Sequence, residues 1–359
     1  MKKGMISIFC TRKLAELLPA IPPRRTTEEI SPLDQWCVSL TTIRRRKVAV
    51  VMCADTRFGF VIMGLRKDHF AKLPELIVTG IRKTFEHFAI RREIIDDYCS
   101  GSPSVYIGAD RSTVAKLNRM AIDVSHMSFS PRLSDLFPPE YAVAINTMPV
   151  GTAHARGCFY PLERMLERLQ ERYAMKPISR PAFELKATLD LGVFKARRTL
   201  LVPADYTFAE LHRVLQTAYG WDDYHLYEFV LGRRRIFPDK DLDMGFSDEP
   251  AMLAADTVLS DCLDKGDVFV YHYDFGDDWE VSIKVASLKT DFDQPHPVCT
   301  RCENSSSPED VGGVGGFIDF WEAYNDPQHP DHEDVTEWVS PAWNPEPDIR
   351  WINIMLRAR

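Results

Sequence analysis

The second half of the sequence groups acidic and aromatic side chains in short segments, of which Tyr273–Trp279 is the densest. Within it, Asp274, Asp277 and Asp278 lie in a stretch of five residues beside large rings. Carboxylates crowded in this way repel one another, which favours a bound cation, a basic partner or a catalytic use. Because exposed turns are rich in Asp for backbone reasons, a solvated acidic turn is the competing interpretation.

Further carboxylates stand in two other segments, Trp221–His225 and Glu309–Asp310. Together with one His, such carboxylates can bind a divalent metal ion and activate water for phosphoester hydrolysis. The competing interpretation is that they cap turns and pair with Arg197, Arg198 and Arg233–Arg235. If the strands that carry these segments pair, the rings would form the floor and the carboxylates the rim of a groove for a cationic or amphipathic ligand. The candidate groove residues are Trp221, Asp222, Asp223, His225, Tyr273, Asp274, Asp277, Asp278, Trp279, Glu309 and Asp310.

A second candidate metal site is formed by Cys299 and Cys302, with His296 close by in the sequence. The two-residue spacing of the thiols is that of half a zinc site, but a structural zinc normally has four ligands. A pair of free thiols is therefore the alternative. The eight cysteines are scattered, several within apolar strand patterns, which indicates buried thiols in a reducing cytoplasm.

A basic run, Arg44, Arg45, Arg46 and Lys47, stands in the first half of the chain. Four adjacent cations favour contact with an anionic backbone, so the run is a candidate nucleic-acid contact. A solvated turn before a strand is the blander alternative. The sequence shows no phosphate loop, nucleophile elbow or cofactor fingerprint.

The elements that must position these residues can be predicted from periodicity. Alternation over Asp267–Tyr273 and again over Trp279–Val285 predicts a β-hairpin, with positive-φ turn chemistry at Gly276–Asp277. The capping box Thr207–Glu210 predicts the start of a helix. Residues 238–256 are expected to form an acidic loop.

In the first half, the continuous apolar runs Val48–Cys53 and Phe58–Met63 predict strands covered on both faces. Apolar residues at intervals of three and four predict one long helix from Asp68 to about Phe88. Another amphipathic helix is predicted at Pro161–Tyr173, followed by a proline-containing linker that ends at Pro181.

The length of 359 residues predicts two domains, and the charge supports this. Residues 1–150 hold 22 Lys and Arg against 15 Asp and Glu, a balance of +7, whereas residues 151–359 hold 22 against 37, a balance of −15. Strands followed by terminal helices indicate an α+β fold with a mixed or antiparallel sheet. No apolar run approaches 18 residues, and the N-terminus lacks a signal peptide pattern, so we expect a cytoplasmic protein without a membrane span. The predicted domains are 1–150, a small basic α/β domain; 151–181, an amphipathic helix and linker; and 182–359, an acidic α+β domain.

The second half contains, in this order, the segments Arg197–Arg198, Val202–Asp205, Leu211–His212, Gly220–Phe229, Tyr273–Glu280, Cys299 and Pro308–Gly313. Through these segments, residues from about 182 to 358 resemble the plasmid pRiA4b Orf-3-like family. The resemblance implies an α+β fold and an accessory role in plasmids, phages or insertion elements, and it implies no catalytic mechanism. Two departures are Lys195–Ala196, where the family usually has a bulky residue, and Ser306–Ser307, where it often has a second Cys.

The first half is similar to a small uncharacterised domain of bacterial and phage proteins, a resemblance that implies no chemistry. It is carried by Cys10–Leu14, Trp36, Arg45–Val51 and Arg111–Asn118.

Two function classes therefore remain open. The first is a non-enzymatic binding protein of a mobile element, whose acidic groove meets a protein or peptide while the basic half meets nucleic acid. The second is a metal-dependent hydrolase or nuclease centred on the carboxylates, for which a divalent metal ion would be the cofactor.

Overall fold

The computed structural model describes residues 5–20, 23, 29–108, 110–129, 135–151, 157–239, 252–341 and 343–358. The chain divides into two compact units, residues 1–179 and 180–359. The central part of the predicted acidic loop, residues 240–251, lies outside the described residues.

Unit 1 contains a five-stranded sheet of order β4-β3-β2-β1-β5, as far as the described residues show. The pairs of β1 with β2 and β5 are parallel, and β2, β3 and β4 are antiparallel. Side chains of alternate strand positions enter two separate apolar clusters, which confirms that the apolar strands are covered on both faces. The strands are β1 (Ser7–Cys10), β2 (Gln35–Ile43), β3 (Arg46–Cys53), β4 (Gly59–Met63), β5 (Ser104–Ile107), and the short pair β6 (Val150–Gly151) and β7 (Cys158–Phe159).

The helices of unit 1 differ from the prediction at one place. The long helix predicted from Asp68 is interrupted at Lys72, because Pro74 lacks the N–H that would bond to the Phe70 carbonyl in a continuous helix, and its ring would clash with that carbonyl. The helices are α1 (Arg12–Ala15), α2 (Lys67–Ala71), α3 (Leu73–His87), α4 (Arg92–Tyr98), α5 (Arg111–His126), α6 (Pro139–Thr147) and α7 (Pro161–Tyr173), with a 3-10 turn at Pro32–Asp34.

Helix α7 belongs to unit 1. Its apolar face buries Leu162, Met165 and Leu169 in the same core as the sheet. The predicted helix-and-linker segment 151–181 is thus largely part of the first unit, which ends at Ser179. The sequence pattern showed that the helix was amphipathic but not which core received its apolar face.

Unit 2 is built on an eight-stranded sheet of order β12-β11-β10-β13-β14-β8-β9-β15 in the described residues. All neighbouring pairs are antiparallel except β11 with β12. With the helices, this confirms the α+β prediction. The strands are β8 (Arg180–Asp190), β9 (Lys195–Pro203), β10 (Tyr227–Leu231), β11 (Arg234–Phe237), β12 (Met252–Leu253), β13 (Val268–Tyr273), β14 (Trp279–Phe292) and β15 (Val298–Glu303).

The first helix of unit 2 begins and ends as predicted. Thr207 and Glu210 form both bonds of the capping box, and Gly220 ends the helix at a φ of 77°. The apolar face of this helix packs against the sheet. The helices are α8 (Phe208–Tyr219), α9 (Leu259–Cys262), α10 (Gly313–Asn325), α11 (His332–Trp338) and α12 (Ile349–Leu356). Among the described helices, none has the length and apolar character that crossing a membrane requires.

The predicted hairpin is β13–β14, but its turn differs in detail. Tyr273 pairs with Trp279, so that five residues form the turn. The positive φ angles belong to Asp274 (57°) and Asp278 (55°), whereas Gly276 has none. Asp adopts this left-handed conformation because its short side chain can bond the local backbone, and here the carboxylate of Asp274 accepts from the Gly276 N–H at 2.9 Å.

Candidate functional site

Three segments far apart in the sequence meet at one end of the unit 2 sheet: the loop after α8, the β13–β14 turn and the loop before α10. The Tyr273 hydroxyl donates to Glu309 Oε1 at 2.9 Å and accepts from the Tyr224 N–H at 3.2 Å. Glu309 Oε1 also accepts from the Asp222 N–H at 2.7 Å. The Gly312 N–H donates to an Asp277 oxygen at 3.1 Å. The candidate segments therefore converge.

Within this junction, His225, Asp274 and Asp310 form a compact group. His225 Nε2 lies 3.1 Å from Asp310 Oδ1 and 3.6 Å from Asp274 Oδ2. One ligand atom from each residue lies within 4.8 Å of those of the other two, so the group could hold a metal ion. Asp274 is buried, whereas Asp310 is exposed. An imidazole with two carboxylates is a ligand set that suits a divalent transition metal.

The neighbouring acid–phenol pair has unusual electrostatics. Burial raises the pKa of the Glu309 carboxyl above its ordinary value, although the hydrogen bonds from Asp222 and Tyr273 oppose this. Burial, followed by the bond to Glu309, raises the pKa of Tyr273. Glu309 Oε2 is buried and has no hydrogen-bond partner among the described residues. A carboxyl of this kind holds a proton more readily than an exposed Glu does.

The aromatic groove floor that the sequence suggested is not present. Tyr273 and Trp279 are fully buried and Trp221 is 5% exposed. Trp221 stacks on Tyr273 at 4.9 Å and His225 meets the Tyr273 ring edge-on at 5.9 Å, so the predicted neighbours do meet. They meet as part of the core, because the alternation of β13 and β14 turns these rings under α8 and away from solvent. Around them, Asp222, Asp223 and Asp278 are exposed.

Three of the five arginines proposed as partners of these acids bind elsewhere. Arg197 pairs with Glu303 and Arg235 with Glu228. Arg198 is buried, and its guanidinium donates to backbone carbonyls, including that of Ala218. The structural alternative of acid–arginine pairing is therefore not observed at these three arginines.

A buried network that the sequence interpretation missed adjoins the site. His212 Nε2 lies 2.6 Å from Asp223 Oδ1, and its Nδ1 lies 2.8 Å from the Tyr271 hydroxyl. Gln216 donates to the same hydroxyl and accepts from the Asp223 N–H. The His212 ring stacks on Tyr227 with centroids 3.6 Å apart. The only sequence signal was a polar pair, His212 and Gln216, set four residues apart among apolar positions of α8.

An open groove of about 780 Å³ lies between α10 and α11 and was also missed. Trp338 is 50% exposed at this groove and meets Phe320 edge-on at 6.0 Å. Asp310 lies in both this groove and the His225 group. The described residues that line the groove include five carboxylates and no Lys or Arg. The carboxylates are Asp310, Asp319, Glu322, Asp331 and Asp334.

Cys299 and Cys302 both lie on β15. Burial raises the pKa of the Cys299 thiol to about 12. His296 Nδ1 lies 3.0 Å from the Pro297 carbonyl oxygen. Among the described residues, the groups able to hold a metal are those of His225 and of His272, and neither includes Cys299 or Cys302. The zinc site therefore stays a prediction: Cys299 is buried and Cys302 half-buried on β15, which is an edge strand of the unit 2 sheet.

The basic run lies in unit 1 at the β2–β3 hairpin. Arg44 and Arg45 are the two turn residues, with φ angles of 47° and 65°, and Arg46 and Lys47 begin β3. Two positive φ angles are the geometry of a type I′ turn. Arg44, Arg45 and Lys47 are exposed.

Two family models match the chain, one in each of its two units. Residues 181–349 match the family model described as plasmid pRiA4b ORF-3-like protein, and residues 7–164 match a domain of unknown function, DUF6933. The uncharacterized protein y4hQ of Sinorhizobium fredii (strain NBRC 101917 / NGR234) is 37% identical over 160 residues, which are 43% of this chain and 78% of that protein. A crystal structure of the protein of unknown function MM3350 from Methanosarcina mazei Go1 is 28% identical, with a TM-score of 0.43, and covers 47% of this chain and 96% of that one.

Proposed function

The chain belongs, through its C-terminal half, to the plasmid pRiA4b ORF-3-like family, and we propose that this half is a non-enzymatic binding module for a cationic, amphipathic protein segment. The observation that carries the proposal is the groove between α10 and α11, which combines five carboxylates with an exposed tryptophan. In this proposal the protein is a cytoplasmic accessory protein of a mobile element, a role that the plasmid-borne reading frame in the family's name supports.

The groove has the chemistry of a site for basic and apolar side chains together. Asp319, Glu322 and Asp334 form no ion pair among the described residues, so their charges are available to a ligand. Trp338 offers a ring face to a guanidinium or an aliphatic side chain. Carboxylates at the rim attract a basic segment and speed its association, while the tryptophan supplies apolar contact area.

Calorimetric titration of the full chain with two short peptides tests this proposal. One peptide alternates Arg and Leu, and the other has Glu in place of Arg. We expect binding of the first peptide alone, and a loss of about tenfold in affinity for Trp338→Ala, since an anchor residue contributes more than about 1 kcal/mol. Trp351→Ala is the matched control, because Trp351 is 60% exposed but does not line the groove. Equal binding of both peptides, or equal loss in the two variants, contradicts the proposal.

A metal-dependent hydrolase is the second candidate, and the His225–Asp274–Asp310 group favours it. A bound divalent ion would polarise a substrate oxygen and lower the pKa of water. Glu309, whose pKa is raised by burial, lies next to Asp310 in the chain and could carry a proton. The acidic groove nearby opposes an anionic phosphodiester, which is why binding of a cationic segment ranks first.

Titration with Mn²⁺ tests the metal site separately. His225→Ala should abolish binding, whereas Asp222→Asn should leave it unchanged, because Asp222 contributes its backbone N–H rather than its carboxylate. Hydrolysis of bis(p-nitrophenyl) phosphate that depends on Mn²⁺ and on His225 would establish the enzyme. Absence of Mn²⁺ binding in the unmodified chain would remove this candidate.

A further inference from the structure

Unit 1 contains an open groove of about 1060 Å³ whose walls are basic. One wall is the β2–β3 hairpin, which contributes Arg45, Arg46 and Lys47. The other is formed where the loop after β4 meets the start of α2, and it contributes Arg66 and Lys67. The second pair stands about twenty residues away from the first in the sequence, so that a search for charge runs finds only one wall.

The register of the sheet brings the two walls together. Strands β3 and β4 are antiparallel, with Val48 opposite Met63. The chain after β4 remains attached to the hairpin, because the Leu65 N–H donates to the Lys47 carbonyl at 3.0 Å. The groove is therefore formed on regular structure and does not depend on a flexible loop closing over it.

The positive charges of the groove are not balanced by ion pairs within the described residues. Arg45, Arg46, Lys47, Arg66 and Lys67 form no ion pair among the described residues. Glu16 is the one acidic residue among the described lining side chains. Five like charges along one groove repel one another, and an anionic ligand would relieve that repulsion.

The residues that line this groove favour contacts with the phosphates of a nucleic acid over contacts with its bases. The ring of Phe70 is 4% exposed, and Lys47 Nζ lies 5.5 Å from its centroid. A base therefore has no free aromatic face to stack on, unlike in typical single-strand sites. The spread of cations over two walls exceeds what one phosphate needs, and it suits successive phosphates of a chain.

We propose that this groove binds the phosphate backbone of nucleic acid without reading its sequence. Arg45, Arg46, Lys47, Arg66 and Lys67 make the contacts. Arg44, the first residue of the basic run, does not line the groove. The excess of seven positive charges over residues 1–150 adds a long-range attraction for the same ligand.

Fluorescence anisotropy with a labelled mixed-sequence DNA duplex and the full chain tests the proposal. Affinity should fall steeply with salt, and duplexes of different sequence should bind alike. Replacing Arg66 and Lys67 together with Ala should weaken binding about tenfold or more at low salt and reduce the salt slope by about 2. Replacing Lys83 and Arg119, two exposed cations away from the groove, should leave the slope unchanged.

Several results would overturn this inference. The first two are the absence of DNA binding at low salt and an equal loss of DNA affinity in the groove and control variants. The other two are full competition for the DNA site by inorganic phosphate at equal phosphate concentration and binding to anionic lipid vesicles in place of DNA. Circular dichroism of each variant shows whether a loss comes from unfolding. Because the two-residue turn remains intact, Arg45→Ala alone is a second, milder variant, expected to reduce the slope by about 1.

Discussion

The Tyr273 hydroxyl donates a 2.9 Å hydrogen bond to Glu309 Oε1 and thereby joins the β13–β14 hairpin to the segment that leads into α10. The same oxygen of Glu309 accepts from the loop after α8. Asp310, the next residue, is thus held where it reaches both His225 and the acidic groove. Asp310 is the residue that the candidate metal group and the candidate peptide groove share, and this bond anchors the residue before it.

Removing the Tyr273 hydroxyl should weaken that connection. Tyr273→Phe removes one of the two donors to Glu309 Oε1 and leaves the Tyr224 N–H without its acceptor, so we expect a loss of about 1–3 kcal/mol in the free energy of unfolding. Urea denaturation followed by tryptophan fluorescence measures this loss. Tyr224→Phe is the control, because Tyr224 is 73% exposed. Equal stability of the two variants would show that the bond contributes nothing measurable.

Two substitutions at Asp274 should separate its structural and chemical roles. Asp274→Asn keeps an oxygen for the Gly276 N–H and tolerates the φ of 57°, so stability should change little while any metal binding is lost. Asp274→Ala removes the cap and strains the backbone, at a cost of about 1–3 kcal/mol. Thermal denaturation with Mn²⁺ titration distinguishes them. If Asn destabilises as much as Ala, the charge itself is structural.

Stability should depend on pH through His272. Its pKa is raised in the folded chain, mainly by the hydrogen bond with Glu228 and further by Glu280 and Asp278. The folded chain therefore binds this proton more tightly than the unfolded chain does. The contribution to the free energy of unfolding is complete below the ordinary pKa of 6.5 and is lost as the pH rises through the folded value.

His272→Gln should flatten this dependence. Urea denaturation of both proteins from pH 5 upward would show the unmodified chain losing stability relative to the variant above pH 6.5. His126→Gln, at the exposed end of α5, should follow the unmodified chain. A curve for His272→Gln parallel to that of the unmodified chain over the whole range would contradict the assignment.

The second unit should fold alone. Its strands, helices and apolar cluster lie within residues 180–359. We expect a chain of these residues to unfold in one cooperative thermal transition. A chain that begins at 191 lacks β8, which is central in the sheet, and should fail to fold. Failure of both chains would count against the boundary.

Local patterns in the sequence predicted the elements well, since periodicity and caps depend on neighbouring residues. Thr207 and Glu210 marked the start of α8, and alternation marked β13 and β14. The same alternation placed Tyr273 and Trp279 on one face, but it could not show that α8 covers this face. The sequence therefore predicts that the rings of Tyr273 and Trp279 form a groove floor, whereas in the structure they belong to the apolar core.

Features formed by long-range packing had little sequence signal. The groove at Trp338 is lined by residues of both α10 and α11, and the β3–β4 register brings the second basic wall at Arg66 to the first. The convergence of Asp274 with Asp310 was predictable only from their common place in the family's motifs. Which carboxylates would approach His225 depended on the positive φ angles of both residues, which no pattern indicated.

Photo-crosslinking tests the central claim, that the groove between α10 and α11 is the ligand site. An Arg–Leu peptide carrying a benzophenone group is irradiated with the full chain, and the attachment sites are mapped by mass spectrometry. We expect attachment to residues on the groove walls, such as Phe320, Val335 and Trp338, and its loss when the peptide carries Glu for Arg. Attachment confined to residues outside the groove, such as Tyr224 and Phe275, or attachment that is the same for both peptides, would contradict it.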